Sequence, residues 1–190
     1  MTTVPRRATG EKKFFDSTDL VTNVPTAGDV NASLCLVTQG TDDNDRIGRK
    51  IYAKAIGIRG TVNLDSSVNT LATNVRIIVF VDKQANGATA AVTDILASAA
   101  WNAYQNLDNV KRFSFLLDRV VTLNPMFSST LAGSQRCFIN WYKNINMEIL
   151  YKANAGTVAD LSSANIGVLS ISDNANCDLD YISRLRFTDA

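Results

Sequence analysis

Apolar and polar residues alternate along several segments of the chain, and this period of two constrains the fold more than any other feature. Successive side chains of an extended strand point to opposite faces, so alternation predicts strands that bury one face and expose the other. Three shorter stretches, 12–18, 32–38 and 166–172, and the apolar run 75–81 are also predicted to be strands. The eight predicted strands are residues 12–18, 32–38, 56–64, 75–81, 113–123, 137–147, 166–172 and 179–189.

The predicted strand 75–81 differs from the others because both of its faces are apolar, with Arg76 as the exception. Ile78 and Phe80 lie on the face opposite the remaining apolar residues, so each face needs a cover. One cover is the core of the domain itself. The other is either the helix that follows in sequence or a second subunit, and the sequence leaves both alternatives open.

Residues 89–101 have helical spacing, with Thr89 or Thr93 as the expected N-cap. Many strands, one helix and long polar links favour two packed sheets over alternating strand–helix units. We therefore predict an all-β fold, an eight-stranded single jelly-roll sandwich with one short helix after the fourth or fifth strand. Residues 1–11 are expected to form a basic N-terminal arm, and residues 12–190 the jelly-roll domain.

Composition argues against several classes of function. The chain has no histidine, which removes the commonest general base and metal ligand, and it has no glycine-rich phosphate loop. We expect no enzymatic activity. Cys35, Cys137 and Cys177 are far apart in sequence, which favours buried thiols in a reducing compartment over a zinc or disulfide framework. No run approaches the roughly 20 apolar residues of a membrane span, so no membrane partner is expected.

Several motifs occur in an order that resembles one family of viral proteins. They are "EKKFF", "QGTDDNDRIGRKI" before "IRGT", "VRIIVFVDKQANGATAAVTDIL", "KRFSFLLDRVVTLNP" and the final "FTDA". This order is similar to that of the satellite tobacco necrosis virus-like coat proteins, and to related coat proteins of small circular single-stranded DNA viruses. The resemblance implies a capsid protein of the virion. About sixty copies would form an icosahedral shell around a single-stranded DNA or RNA genome.

Four basic residues crowd the start of the chain: Arg6, Arg7, Lys12 and Lys13. Basic side chains on a mobile arm neutralise phosphates without reading sequence, although a solvated tail would look the same. The resemblance favours the first interpretation, because the arms of the family face the shell interior. It also makes Lys111 and Arg112 second candidates for phosphate contacts, with a solvated strand end as the alternative.

The charge of this arm limits the proposal. With Glu11 opposing the four basic residues, sixty arms supply roughly 180 positive charges, against roughly 570 phosphates in a gene of this length. We therefore expect either a longer basic arm in the natural chain or a shell formed without a genome.

A cluster of carboxylates suggests a metal. Asp42, Asp43 and Asp45 share one loop, and oxygen ligands of this kind bind calcium when other loops complete the shell. By resemblance, Glu11 and Asp189 correspond to carboxylates that face calcium between subunits. The alternative is an exposed acidic turn. The adjacent basic run 46–50 is expected to be solvated or to pair with the acidic loop of a neighbour.

A function of another class fits the same fold. A jelly-roll binding module, either lectin-like or a trimeric ligand, would need an aromatic-lined cleft or a secretion signal. The only tryptophans, Trp101 and Trp141, lie in patterned segments that look buried, and the N-terminus has no apolar signal core. The capsid interpretation therefore leads.

Overall fold

A computed structural model describes residues 11–64, 72–125 and 135–189. Its helical elements are α1 (Val92–Ile95) and two 3₁₀ turns, Leu107–Asn109 and Val158–Asp160. No helix within these ranges has the length and apolar character needed to cross a membrane. The strands are β1 (Lys12–Val21), β2 (Asp29–Asn31), β3 (Lys50–Leu64), β4 (Thr73–Asp82), β5 (Phe113–Leu123), β6 (Arg136–Leu150), β7 (Asn165–Ser172) and β8 (Cys177–Asp189).

The strands form two four-stranded antiparallel sheets. Sheet 1 has the order β1–β8–β3–β6, and sheet 2 has the order β2–β7–β4–β5. Every connection except the one between β4 and β5 passes from one sheet to the other. This exchange is the jelly-roll arrangement. The predicted all-β, eight-stranded sandwich, with its helix after the fourth strand, is therefore confirmed.

The main core lies between the inner faces of the two sheets. In β8, the alternating residues Leu179, Leu185 and Phe187 are buried in it, whereas Arg184 and Arg186 between them point outward. The period of two in the sequence therefore separates core from surface directly. Side chains of β3 also alternate: one is buried in the core, and the next along the strand lies on the outer face of sheet 1.

Strand β4 is buried on both faces because the chain itself supplies both covers. Val75, Ile77 and Val79 belong to the main core. Ile78 and Phe80 belong to a second apolar cluster on the outer side of sheet 2. The segment after β4 contributes the other side of this cluster, with Ala90, Ile95 and Leu96. Of the two alternatives, the cover is the following segment of the same chain.

The predicted helix 89–101 is wrong in length, since only Val92–Ile95 is helical. The backbone turns extended at Leu96, whose φ is −110° and ψ 152°, and the chain folds back so that Leu96 pairs with Gln105. Neither predicted threonine caps the helix. The N-cap is Ala91, whose N–H donates to Asp94 Oδ2 at 2.9 Å. The helical spacing reflects burial of Ile95 and Leu96 more than helix formation.

The predicted strand 32–38 is also wrong, because the second strand is Asp29–Asn31. Leu34, Cys35 and Val37 are nevertheless fully buried in the main core. Their backbone makes local turns, for example from the Val37 N–H to the Cys35 carbonyl at 3.0 Å, instead of a ladder. The apolar pattern of residues 32–38 therefore predicted their burial correctly, but it did not predict that they lie outside a strand.

The basic run 46–50 begins with a buried arginine rather than a solvated one. Arg46 is fully buried, and its Nε donates to the Val37 carbonyl at 3.0 Å. Its guanidinium also donates to the carbonyls of Gly48 and Ala153 and lies 4.2 Å from the centre of the Tyr151 ring. Burial lowers the pKa of Arg46. The expectation for this run therefore fails at Arg46, which joins three loops within one chain.

Candidate nucleic-acid interface

The outer face of sheet 1 is open in the described chain and is more basic than acidic. Whereas the chain as a whole carries a net charge of only +1, the strand alternation places many of its cations on this face. The outward basic residues are Lys12, Lys50, Lys54, Arg59, Arg136, Arg184 and Arg186, and the outward acidic residues are Asp16, Glu148, Asp178 and Asp180.

A groove of about 340 Å³ runs across this face between β6, β3 and β8. Its lining includes Arg59, Arg184, Arg186 and the aromatic Tyr142. Strand register explains the opening. Gly57 on β3 lies between Arg184 on β8 and Tyr142 on β6, and it has no side chain to fill the space between them. Cationic groups and an aromatic ring therefore surround one shallow depression.

The three arginines of the groove differ in how their charge is used. Arg184 forms a bidentate pair with Asp16, with Nε–Oδ1 at 2.7 Å and Nη2–Oδ2 at 2.6 Å, and it stacks over Phe14. Hydrogen bonding to Asp16 raises the pKa of Arg184. Arg59 and Arg186 are exposed and have no ion pair among the described residues. Two guanidinium groups are therefore available to an anion.

A second basic area lies on the same face toward the start of β3. Lys50 and Lys54 have their ammonium groups 5.1 Å and 5.4 Å from the centre of the Tyr52 ring. Lys50 also pairs with Glu148 at 3.0 Å, and this hydrogen bond raises the pKa of Lys50. Because the side chains of Lys50 and Glu148 are both open to solvent, the pairing contributes little to stability. The area extends the positive face along the sheet.

Lys12 and Lys13, both predicted to contact phosphate, differ in their exposure to solvent. Lys12 is exposed on sheet 1. Lys13 is buried, and its ammonium contacts the Asp42 carbonyl at 3.3 Å, the Asp45 carbonyl at 3.1 Å and Asp189 Oδ2 at 3.3 Å. With its donors directed at the protein's own oxygens, Lys13 gains no support as a phosphate contact. Lys12 remains a candidate.

Of the other predicted phosphate contacts, Arg6 and Arg7 lie outside the described residues, whereas Lys111 and Arg112 lie apart from this face. Arg112 pairs with Asp82, with Nε–Oδ1 at 2.9 Å and Nη2–Oδ2 at 2.7 Å, and this pairing raises the pKa of Arg112. Lys111 is exposed, but it precedes β5 of sheet 2. The four predicted residues that the structure describes, Lys12, Lys13, Lys111 and Arg112, therefore do not form one site.

The predicted calcium ligands do not form a metal centre within one chain. Across residues 11–64, 72–125 and 135–189, no group of three or more His, Cys, Asp or Glu side chains is placed to hold a metal. Asp45 Oδ1 accepts from Thr38 at 2.6 Å, and Asp189 Oδ1 accepts from the Ile47 N–H at 3.0 Å. Glu11, Asp42 and Asp43 are exposed. Calcium between subunits stays a prediction.

The groove arginines were missed because their proximity depends on strand pairing. The alternating pattern already placed Arg59 opposite the apolar residues of its strand, and Arg184 and Arg186 opposite those of theirs. However, β3 and β8 are far apart in sequence, and only the pairing of Gly57 with Arg184 brings the two sets together. Cations at outward positions of several strands are the signal that could have found them.

The three cysteines are free thiols. Cys35 and Cys177 are buried, and burial raises the pKa of each thiol to about 12. Cys137 is half-buried. A thiol with so high a pKa is a poor nucleophile.

These features define a jelly-roll protein with an open basic sheet face. The chain belongs to the family described as satellite tobacco necrosis virus coat protein, whose match extends over residues 6–190. It is therefore a viral coat protein, a structural component of the virion.

A coat protein of Maize white line mosaic satellite virus is similar to this chain. The two are 32% identical over 132 residues, which cover 63% of this chain. The matched segment spans 58% of the length of that relative, which is less than two thirds. The family match and this similarity agree on a coat protein.

Proposed function

We propose that this chain self-assembles into a closed icosahedral shell of about sixty copies that encloses a single-stranded genome. The outer face of sheet 1 is turned toward that genome. The observation that carries this orientation is the pair of exposed guanidinium groups, Arg59 and Arg186, which have no ion pair among the described residues and lie in one groove with Tyr142.

The chemistry of the groove suits single-stranded nucleic acid. Arginine binds phosphate oxygens with a planar set of donors, and an exposed tyrosine ring offers a surface on which a base stacks. Phosphate contact and stacking are tolerant of sequence. The face therefore accepts a DNA or an RNA strand. Binding releases counterions from the nucleic acid, so its affinity falls as the salt concentration rises.

The arm extends this surface. Lys12 is exposed at the start of β1, which belongs to sheet 1, and Arg6 and Arg7 precede it in sequence. We infer that these three side chains add phosphate contacts next to the groove. Lys111 is a further candidate. The resemblance to coat proteins of small circular single-stranded DNA viruses is part of the same proposal, and the jelly-roll topology supports it.

Calcium between subunits is a separate part of the proposal. The exposed carboxylates of Glu11, Asp42 and Asp43 have room for ligands from a neighbour, as calcium sites with several oxygen donors require. Asp45 and Asp189 are each already hydrogen-bonded within the chain. Unchanged thermal stability of particles after treatment with a chelator would contradict calcium binding here.

A structural role without catalysis fits the same observations. The chain lacks histidine, and two of its three thiols are buried with a raised pKa. A lectin-like module or trimeric ligand is the alternative, and membership of a coat protein family favours the shell over it.

Electron microscopy and absorbance test the proposal together. Purified protein is imaged in negative stain, and its absorbance ratio at 260 and 280 nm is measured before and after nuclease. We expect uniform shells with nuclease-resistant nucleic acid, and less nucleic acid in shells of the double variant Arg59→Ala/Arg186→Ala. Lys83→Ala, which removes an exposed charge after β4, is the matched control.

The outcomes separate two claims. Only small oligomers, over a range of salt and calcium concentrations, would reject the shell. Equal nucleic-acid content in the double variant and the wild type would retain the shell and reject the groove as its genome contact.

A further inference from the structure

The outer face of sheet 1 carries exposed aromatic rings as well as cations. These rings belong to Phe14, Tyr52, Phe138 and Tyr142. Two of the rings already have a cation of the same chain over them. Arg184 lies 4.8 Å from the centre of the Phe14 ring. The ammonium groups of Lys50 and Lys54 lie 5.1 Å and 5.4 Å from the centre of the Tyr52 ring.

The other two rings, Phe138 and Tyr142, are open to a ligand. Phe138 is 74% exposed and Tyr142 is 56% exposed. Across residues 11–64, 72–125 and 135–189, no cation and no second ring lies over either of them. Both lie on β6, which is an edge strand of sheet 1. A ligand can therefore reach the flat face of each ring.

The strand fixes the distance between these two rings. Phe138 and Tyr142 are four residues apart on β6, so they share one face of the sheet. At about 3.3 Å per residue, their α-carbons are separated by about 13 Å. The Tyr142 ring also lies close to the backbone of β3, because a Cβ atom at Gly57 would be only 3.4 Å from its Cδ2.

A free cation lies between the two rings. Phe138 pairs with Thr61 on β3, and Tyr142 pairs with Gly57. Arg59 is halfway between these β3 positions, is exposed and has no ion pair among the described residues. The order ring, guanidinium, ring complements a nucleic acid strand, in which phosphates alternate with bases. A protein surface has no such regular supply of negative charge.

The distance between the rings selects unpaired bases. A strand in a duplex advances about 3.4 Å for each nucleotide, which is much less than the distance of about 13 Å between Phe138 and Tyr142. Bases on both rings must therefore come from a strand whose bases are spread apart. The faces of bases inside a duplex are covered by their neighbours, whereas unpaired bases stack readily on aromatic side chains.

We propose that Phe138 and Tyr142 each stack on an unpaired base, so that this face binds single strands in preference to duplexes. The inference deepens the proposed genome contact and rests on it. Arg59 holds a phosphate between the two bases. The arginines of the groove attract any nucleic acid, and the two rings distinguish a single strand from a duplex. Stacking reads no sequence, because every base has a flat aromatic face.

An oligonucleotide without bases tests the stacking directly. Binding to unassembled subunits is measured by fluorescence anisotropy with labelled oligothymidine, with an abasic chain of the same length and with a duplex of that length. Loss of one stacked base costs about 10-fold in affinity, so Phe138→Ala/Tyr142→Ala should bind oligothymidine roughly 100-fold more weakly than the wild type does. Its affinity for the abasic chain should be unchanged. The wild type should prefer oligothymidine to the duplex, and the double variant should lose this preference.

Two further variants separate stacking from other effects. Tyr142→Phe keeps the ring and should bind oligothymidine as the wild type does. Tyr104→Ala is the matched control, because it removes a ring that is 88% exposed in the connection between β4 and β5. It should leave all three affinities unchanged. Since all the substituted side chains are exposed, the circular dichroism spectrum and thermal midpoint of each variant should match those of the wild type.

The outcomes distinguish the stacking from the proposed genome contact. Equal wild-type affinity for oligothymidine and the abasic chain would overturn the stacking and leave the arginine contact in place. An equal loss of affinity for both probes in the double variant would also overturn it, since the rings would then act on phosphate binding. If the wild type bound none of the three probes, the proposed genome contact would fail as well.

Photo-crosslinking gives a readout on the unaltered protein. An oligonucleotide that contains iodouracil is bound to the wild-type chain and irradiated, and the crosslinked peptides are identified by mass spectrometry. We expect crosslinks at Phe138 and Tyr142. Crosslinks confined to other residues would overturn the assignment of these two rings.

Discussion

The outer faces of the two sheets differ in what lies over them. On sheet 2, the chain after β4 covers Ile78 and Phe80, so that β4 has an apolar core on each side. On sheet 1, no described segment covers the corresponding face, and Arg59 and Arg186 are exposed there. The two outer faces of one jelly roll therefore differ. The chain after β4 covers the β4 part of sheet 2 and leaves Asp118, Val120 and Thr122 of β5 exposed, whereas no described segment covers sheet 1.

The difference shows how the fold divides structural and binding roles. A covered face contributes to the free energy of unfolding through buried apolar area. An open face contributes little to the free energy of unfolding, and its exposed side chains are available to bind a ligand. The same division applies to cations: Lys13 and Arg46 are buried and hold loops together, whereas Arg59 and Arg186 are exposed.

The largest expected effect comes from removing an aromatic ring under the cover of sheet 2. Phe80 is buried and packs edge-to-face with Phe113 at 5.8 Å between ring centres. Phe80→Ala should lower the free energy of unfolding by about 3–5 kcal/mol, the usual cost of a large core cavity. Denaturant unfolding monitored by circular dichroism measures the change.

The matched control is Phe138→Ala on the open face, where the ring is 74% exposed. Its effect should stay within about 0.5 kcal/mol, as for most surface substitutions. Similar losses in the two variants would contradict the contrast between a covered and an open face.

A smaller but still large effect is expected at the root of the arm. Lys13→Met leaves the Asp189 carboxylate without its cation in a site where the two side chains are 2% and 17% exposed. Removing one partner of a buried pair costs about 3–5 kcal/mol, and the low end applies here because Asp189 keeps the Ile47 N–H. The thermal midpoint of each variant provides the measurement.

Lys12→Met is the control, since Lys12 is the exposed neighbour of Lys13 in sequence. It should leave the thermal midpoint nearly unchanged. If Lys12→Met and Lys13→Met destabilise equally, the pairing of Lys13 with Asp189 has no special role.

The sequence predicted the fold well because the fold depends on a local pattern. Alternation, together with the apolar run 75–81, identified seven of the eight strands at their approximate positions and separated the inward Leu185 from the outward Arg184. The predicted strand 32–38 failed, and so did the helical spacing at 96–101, where buried residues such as Cys35 and Leu96 lie in irregular backbone. Burial produces the same apolar spacing whether or not the backbone joins a sheet or a helix.

The candidate site was less predictable because it depends on pairing between distant strands. Charge density in sequence favoured Lys13 and the family resemblance favoured Arg112, yet each of these has a carboxylate partner in its own chain, Asp189 and Asp82 respectively. Arg59 is the only basic residue in the predicted strand 56–64, and it belongs to the site only because β3 pairs with β8. Local sequence reports the number of cations but not which of them lack partners.

The salt dependence of nucleic-acid binding tests the contrast between the outer faces of the two sheets. For single-stranded nucleic acid, each phosphate contact contributes about 0.7 to the slope of log affinity against log salt. Arg59→Ala/Arg186→Ala should therefore reduce that slope by about 1.4, measured on unassembled subunits by fluorescence anisotropy with a labelled oligonucleotide.

Lys83→Ala again serves as the control, because it removes an exposed charge that follows β4 of sheet 2. It should leave the slope unchanged. A larger loss from Lys83→Ala than from the double variant would place the nucleic acid on the other side of the molecule.

The smallest expected effect is a pH dependence at the edge of sheet 2. Burial raises the pKa of Asp29 in the folded chain, and the nearby charge of Asp19 raises it further. A carboxyl group whose pKa is raised on folding stabilises the fold when protonated. Its contribution is fully present below the unfolded pKa of 3.8 and is lost as pH rises through the folded pKa.

Asp29→Asn removes this titration without changing the shape of the side chain. The difference in unfolding free energy between variant and wild type, measured from pH 3 to pH 7, should therefore move in favour of the amide variant as pH rises through that window. Asp178→Asn, at an outward position of sheet 1, is the comparison. A constant difference for Asp29→Asn across this range would mean that the carboxyl group titrates alike in the folded and unfolded chain, and that burial at the edge of sheet 2 exerts no electrostatic cost.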